Sequence, residues 1–397
     1  MTTSTPDDAA AEPTDAPEPA TDDPGEGTLA DDLLDLDDPE GNRGGTGGRR
    51  RRRLRVGRLA LVISLGLVIA LVLGAGAVVL YVNSRIEGAL ERIPDPFESL
   101  TDRPTHAEDD EETGGTPVNF LVLGSDSRIS AGDPTQWQAG AQRTDAIMIV
   151  HLSGDREDAT VVSIPRDSYV PIPGFGENRV NAAFSFGGPS LMIQTVEDLT
   201  GIPIDHFVLA DFESFAGLTD ELGGVSITLP NGMQGTTRDG REVDLGPGTH
   251  LLDGEEALVY ARDRMSTPGG DFGRVQRQQN WVRALMNAAI SDGALSNPVR
   301  ATGLAETVAG SLAVDEDFST TEMVRLALSG RDMRPNDVTF LTIPVVGTGW
   351  SPDRRMAIVE VDFEGLRLLS DAIAEDRAQE FLDSHPHLGD RLGPQVQ

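Results

Sequence analysis

Residues 59–82, LALVISLGLVIALVLGAGAVVLYV, run for 24 positions without a charge. At a rise of about 1.5 Å per residue, a helix of this length crosses the core of a bilayer with some tilt. Seven arginines, Arg49 to Arg53, Arg55 and Arg58, crowd its N-terminal side. Arginine-rich flanks stay in the cytoplasm, so the expected topology is a single-pass signal anchor in the cell membrane. Its N-terminus is cytoplasmic and everything after Tyr81 is extracytoplasmic. A cleaved signal peptide is the competing reading, and Gly74-Ala75-Gly76-Ala77 imitates a cleavage site. Against it, the stretch is longer than an h-region and follows a tail of 58 residues.

The flanks differ sharply in composition. Residues 1–42 hold 14 acids and no Lys or Arg, with few apolar residues to bury. Such a segment cannot offset its ordering entropy, so 1–58 is expected as a disordered acidic cytoplasmic tail ending in the arginine block. Residues 83–116, with Pro94, Pro96, Pro104 and the acidic run Glu108, Asp109, Asp110, Glu111, Glu112, are expected as an extracytoplasmic stalk or linker. The main folded domain is expected over 117–346, and 347–397 as a C-terminal helix and tail.

Several function classes fall away. Cysteine is absent, which excludes disulfides, thiolate metal sites and thiol nucleophiles. The histidines at 106, 151, 206, 250, 385 and 387 form no HExxH pattern. His151 and His206 are expected as structural residues. The net charge of −33 argues against a nucleic-acid partner, which requires a positive footprint. All 32 basic residues are arginine, so the choice of Arg over Lys at any one site carries little information.

Within the domain, apolar runs rich in Val and Ile predict strands over 118–123, 146–152, 160–164, 225–229 and 338–343. Helical spacing predicts helices near 188–199, 211–221, 274–290, 319–328 and 364–374, with Asp211 and Asp317 as capping or first-turn acids. Strands mixed with helices predict an α/β domain whose sheet is covered on both faces.

Four blocks concentrate Asp and Arg beside strand ends or glycines. They are Gly124-Ser125-Asp126-Ser127-Arg128, Arg143-Thr144-Asp145, Ser163-Ile164-Pro165-Arg166-Asp167, and Arg262-Asp263-Arg264 followed by Asp271-Phe272-Gly273-Arg274 and Arg277-Gln278. Loops at strand ends are where a rigid sheet presents functional groups. Seven arginines there, in so acidic a chain, predict an anion site, because guanidinium forks match phosphate oxygens. If neighbouring strands bring Asp126 and Asp145 together, two carboxylates beside phosphates make a site for a hard cation, most naturally Mg²⁺. Asp167, Asp263 and Asp271 are candidates for orienting arginines or activating a hydroxyl. Asp271 alternatively caps the helix expected from Arg274, and each Asp–Arg pair taken alone reads as a surface turn.

At these positions the sequence resembles the LytR-CpsA-Psr family of bacterial cell-envelope proteins. The matching stretches include NFLVLGSDSR (119–128), RTDAIMIVHL (143–152), VVSIPRDSYVPIPG (161–174), DHFVLADFESFAGLTDELGGV (205–225), GPGTHLLDGEEALVYARDR (246–264) and DFGRVQRQQ (271–279). The resemblance implies a central mixed sheet flanked by helices, with an apolar tunnel for a polyprenyl chain and a pyrophosphate head at its mouth. It implies a ligase that moves a glycopolymer from polyprenyl pyrophosphate to a muramic acid hydroxyl of peptidoglycan, leaving a phosphodiester. By the same resemblance Asp126 and Asp145 ligate Mg²⁺, and Arg128, Arg143, Arg166, Arg262, Arg264, Arg274 and Gln278 surround the pyrophosphate, with orienting Asp126 and Asp145 as the alternative role of Arg128 and Arg143. Arg166, Arg262, Arg264 and Gln278 are expected to touch phosphate directly, and Asp271 is the candidate base. The apolar helices 183–199 and 212–222 either line the tunnel or form plain core. Two rival functions stand beside the ligase: a polyprenyl-pyrophosphate hydrolase, and a membrane-anchored regulator or lipid-binding protein.

Overall fold

The computed structural model describes residues 83–106, 115–125, 144–263, 271–291, 298–393 and 396. The segments expected as acidic tail (1–58) and as anchor (59–82) lie outside the described residues, as do Asp126, Arg128, Arg143 and Arg264. Among the described residues no helix is long and apolar enough to cross a membrane.

An eight-stranded mixed sheet organises the domain. Its strands are β1 (Glu91–Ile93), β2 (Val118–Ser125), β3 (Thr144–Leu152), β4 (Ala159–Ser163), β7 (His206–Asp211), β12 (Leu312–Asp315), β13 (Val338–Thr342) and β16 (Asp390–Arg391). They lie in the order β1-β12-β7-β2-β3-β4-β13-β16. Strand β2 runs parallel to β7 and antiparallel to β3, and β4 runs antiparallel to β3 and parallel to β13. Among the described residues, four two-stranded antiparallel pairs stand outside the sheet: β5 (Tyr169–Ile172) with β6 (Gly176–Arg179), β8 (Val225–Leu229) with β11 (Gly248–Leu252), β9 (Met233–Thr236) with β10 (Glu242–Leu245), and β14 (Val345–Trp350) with β15 (Ala357–Val361).

The helices are a segment over 83–89 (α1), α2 (Asn181–Thr200), α3 (Phe212–Glu221), α4 (Gly254–Arg262), α5 (Asp271–Ser291), α6 (Pro298–Ala309), α7 (Thr320–Ser329), α8 (Phe363–Ala374) and α9 (Ala378–Ser384). Helix α2 starts earlier than its apolar spacing predicts. The chain breaks helical geometry at Gly187 and Gly188, where Gly188 takes φ 65°, and resumes at Pro189. The Gly-Gly-Pro run reads as a helix start but is a kink within one. Ser319, not Asp317, caps α7, its side chain accepting from the Glu322 amide at 3.2 Å.

The two faces of the sheet are covered differently. On one, Leu121, Leu123, Ile147 and Ile149 are buried to 1% exposure or less against Met192, Ile193 and Val196 of α2 and Leu366, Leu369 and Ile373 of α8. Helix α2 thus packs its Met192, Ile193 and Val196 in the core. On the other face Val118, Phe120 and Val122 of β2, with Val150 and Leu152 of β3, are only half-buried although both strands are central. Val122 lies between two separate apolar clusters there, one with Leu218, Leu222, Leu258 and Trp281, the other with Val208, Val314, Phe318 and Leu326.

The sheet also takes in residues expected as flanks. Within the expected linker, β1 pairs in parallel with β12, and Phe97 and Leu100 pack on the core. Within the expected tail, β16 pairs with β13, and α8 supplies core residues. Open strand edges need partners, and these short distant segments supply them. His151 is structural as expected: its Nδ1 lies 2.8 Å from Asn119 Oδ1 and its Nε2 3.0 Å from Asp376 Oδ1. His206 stacks on Phe318 at 4.1 Å between ring centroids.

Candidate active site

Strand direction assembles the sequence blocks. Because β2, β4, β7 and β13 are mutually parallel, Ser125, Ser163, Asp211 and Thr342 all end at one edge of the sheet, where antiparallel β3 begins at Thr144. Ser125 pairs with Thr144 and Gly124 with Ala146, so Asp145 is the extra residue of a β-bulge. Bulges re-aim side chains and recur beside active sites. The pairing of Ser163 with Met148 brings the third block to the same edge.

The loop that carries Arg166 is pinned on both sides. Ser168 N–H donates to Pro165 O at 2.9 Å, Asn181 N–H to Arg166 O at 3.2 Å, and Val359 N–H to Asp167 O at 2.9 Å. Asp167 Oδ1 lies 3.2 Å from Arg179 NH1 and 4.0 Å from Arg166 Nε. Arg179 in turn donates to Ala357 O at 2.5 Å. Asp167 thus stands within ion-pair distance of both arginines.

Helix α5 brings the fourth block to this edge. Gln279 is wholly buried, and its Nε2 donates to Ser163 Oγ at 2.7 Å and Leu341 O at 3.0 Å. Arg277, two residues away, donates through its guanidinium to the main-chain oxygen of Asp263, directly after Arg262. One turn of α5 therefore ties the end of α4 to the end of β4. Arg274 and Gln278, four residues apart on one helical face, are buried to 2% and 5% exposure. Asp271 is the first residue of α5, so the helix starts three residues before the expected Arg274.

Deeper along α5 the polar groups are satisfied internally. Asn280 Nδ2 donates to the Tyr260 hydroxyl at 2.8 Å, and Arg283 donates to Asn280 Oδ1 at 2.6 Å. Burial pushes the Tyr260 phenol up to about 12, against the opposing Asn280 hydrogen bond, so it is no base near neutrality. Burial also lowers the Arg277 pKa, and the Asp263 carboxylate works the other way.

The described structure thus links, at one end of the sheet, the segments that carry Arg166, Arg262, Arg274 and Gln278. Asp145 and Asp271 are placed by backbone alone. Among the described residues no group of three or more His, Asp or Glu is arranged to hold a metal ion. Sequence reasoning passed over Gln279, Asn280 and Arg283. The signal was available: Gln276-Arg277-Gln278-Gln279-Asn280 is five polar residues in a row, and a helix packed on a sheet cannot turn all five to solvent.

Gln279→Leu removes both bonds while keeping the volume roughly constant. It is expected to cost about 1–3 kcal/mol by leaving Ser163 and Leu341 short of a donor. A urea midpoint equal to the parent's would show that this link carries no stability.

The chain matches the LytR_cpsA_psr family over residues 97–362. It is 36% identical over 313 residues to a probable cell wall biosynthesis protein, LcpB of Corynebacterium glutamicum, covering 76% of this chain and 69% of that protein. It is 33% identical over 248 residues to the polyisoprenyl-teichoic acid–peptidoglycan teichoic acid transferase TagT of Bacillus subtilis, covering 61% of this chain and 74% of TagT. The regulatory protein MsrR of Staphylococcus aureus is 31% identical over 230 residues, 57% of this chain and 64% of MsrR. A solved structure of TagT bound to LI-WTA superposes with a TM-score of 0.51 at 25% identity, over 70% of this chain and 97% of that one. With a family match that spans β2 to β15, the arginine blocks and helix α5, the chain belongs to the LytR-CpsA-Psr family.

Proposed function

We propose that this protein transfers a glycopolymer from a polyprenyl-pyrophosphate carrier to peptidoglycan, forming a phosphodiester on a muramic acid hydroxyl and releasing polyprenyl phosphate. The observation that supports the reading is that Gln279 and Arg277 of α5 tie the end of β4 to the end of α4, the segments that bear Arg166 and Arg262, from a helix that also carries Arg274 and Gln278. The likeness to a teichoic acid transferase supports the same class of substrate.

In this reading the arginines bind and orient the pyrophosphate before reaction. Fixed cations that need no rearrangement stabilise the charge developing on the leaving phosphate. Arg166 contributes from a pinned loop and Arg274 from within a packed helix, so both are preorganised. Asp271 is assigned as the base that takes the proton of the attacking hydroxyl. The half-buried apolar strip of β2 and β3 supports a place for the polyprenyl chain beside α3.

Asp126 and Asp145 are the residues we assign to Mg²⁺. Ser125 pairs with Thr144, Asp126 and Asp145 are the next residues in the sequence after each, and two carboxylates are a hard-cation donor set. Bound there, Mg²⁺ would neutralise phosphate charge. The anchor would hold the site outside the cytoplasmic membrane, where peptidoglycan lies.

The test is to incubate the full chain, in detergent, with a short polyprenyl-pyrophosphate-linked saccharide and peptidoglycan fragments, with and without Mg²⁺. A saccharide-phosphate adduct on muramic acid, found by mass spectrometry, is the expected product. Asp145→Ala is expected to abolish the Mg²⁺-dependent turnover and leave the melting temperature unchanged. Retained turnover would remove Asp145 from the cation site. Polyprenyl phosphate without an adduct would favour the hydrolase. Lipid retention without turnover would favour a regulatory role, the reading that the likeness to MsrR keeps open.

A further inference from the structure

Beside the arginine cluster lies a cleft of about 380 Å³ between the β9–β10 hairpin and α4. Its size falls in the range of small-molecule sites, about 300–1,000 Å³. Gln234, Thr236 and Arg238 line it from the hairpin, and Glu255, Val259 and Arg262 from the helix. Arg262 therefore belongs both to this cleft and to the group of residues assigned to phosphate.

The chemistry of the walls selects an occupant. Leu258 and Val259 give an aliphatic floor. Gln234 and Thr236 are exposed at its rim, where Gln234 Nε2 donates to Asp244 Oδ1 at 3.0 Å and the Thr236 hydroxyl to Glu242 Oε1 at 3.3 Å, so that each keeps further hydrogen-bonding capacity for a ligand. The charges balance: Arg238 and Arg262 face Glu255 and Asp263, and Arg238 Nε lies 3.0 Å from Glu255 Oε1. A balanced cleft does not suit a second phosphate. Mixed donors and acceptors around a small apolar floor suit a pyranose ring, whose hydroxyls radiate from an apolar C–H face.

The cleft is also preorganised. Arg241 of the hairpin donates to Asp253 at 2.7 Å and to Glu256 at 3.2 Å, at the start of α4. Asp253 and Glu256 close a reciprocal capping box there. The hairpin approaches so closely that a Cβ added at Gly235 would stand 2.5 Å from Val259 Cγ1. Walls held this way spare a ligand the entropy of ordering them.

We propose that this cleft is a pyranose subsite, which holds the sugar ring flanking the transferred phosphate while Arg262 holds the phosphate itself. The assignment rests on the proposed function for what lies at the arginine cluster. The ring belongs either to the lipid-linked donor or to the peptidoglycan acceptor, and the two share the same chemistry.

The experiment uses the full chain in detergent and three probes: farnesyl pyrophosphate, a disaccharide joined through pyrophosphate to the same farnesyl chain, and a muramic-acid-containing peptidoglycan fragment. Thr236→Trp fills the cleft from an exposed position, and the double variant Gln234→Ala, Thr236→Ala removes polar groups without adding bulk. Binding is read by calorimetry and turnover by mass spectrometry. The expected result is a rise of about tenfold or more in Kd for one sugar-bearing probe, with farnesyl pyrophosphate bound as by the parent. Loss confined to the farnesyl-linked disaccharide assigns the donor ring, and loss confined to the peptidoglycan fragment assigns the acceptor ring. Unchanged binding of both sugar-bearing probes overturns the subsite, as does an equal loss for all three probes. A parent that binds the sugar probes in a cleft-dependent way but never forms an adduct overturns the ligase reading and leaves the subsite standing.

Discussion

Arg166→Ala is expected to lower transfer about 10²–10³-fold without unfolding the domain, the usual cost of removing one fixed stabiliser of transition-state charge. The side chain is 16% exposed, so it reaches a ligand from a largely desolvated position. Its loop is held by main-chain bonds from Ser168, Asn181 and Val359, none of which needs the guanidinium. The backbone should therefore survive the substitution. Arg166→Lys keeps the charge and loses the planar fork, so it should recover only part of the rate. The measurement is release of polyprenyl phosphate at saturating substrate, with a melting curve for each variant. A rate equal to the parent's would put Arg166 outside the site.

Trp281→Ala is expected to have the largest effect on stability, about 3–5 kcal/mol, because a buried indole leaves a cavity that neighbours fill only partly. Trp281 is 1% exposed, and its Nε1–H donates to Thr219 Oγ1 at 3.0 Å. Its ring meets Phe215 edge-on, with centroids 6.1 Å apart. These contacts join α5 to α3, so α5 should loosen and carry Arg274 and Gln278 out of position. A fall in melting temperature on the order of 10 °C would accompany the loss. Trp281→Phe, which keeps most of the volume, should lose less. Equal melting temperatures for Trp281→Ala and the parent would mean that this contact is not part of the cooperative core.

The five strands expected from apolar runs all occur, because a half-buried or buried strand must carry its apolar residues close together in sequence. Strand β7, His206–Asp211, has the same kind of run and was passed over beside the helix that follows it. Strands β1 and β12, of three and four residues, carry no local signal and exist through pairing, β12 with β7 and β1 with β12 across 222 positions. Helix α4 was missed although Asp253 and Glu256 spell a capping box three residues apart.

The candidate site was legible to the same depth. Asp and Arg beside the ends of apolar runs mark blocks 124–128, 143–145, 163–167 and 262–278, since such residues have few structural reasons to cluster there. What joins the blocks was not legible. Gln279 reaches Ser163 across 116 residues and Arg277 reaches Asp263 across 14, and nothing near either glutamine or arginine names its partner. The bulge at Asp145 depends on the register between β2 and β3, which only the paired strands decide.

Periodicity, charge and residue type are properties of neighbours in the chain, so the uncharged run 59–82, the α/β class and the four Asp–Arg blocks can be read along it. Strand order is a property of partners. Backbone groups at strand edges must find hydrogen bonds wherever the fold supplies them. That requirement places parallel β2, β4, β7 and β13 so that their ends meet at one edge, and turns separate blocks into one site.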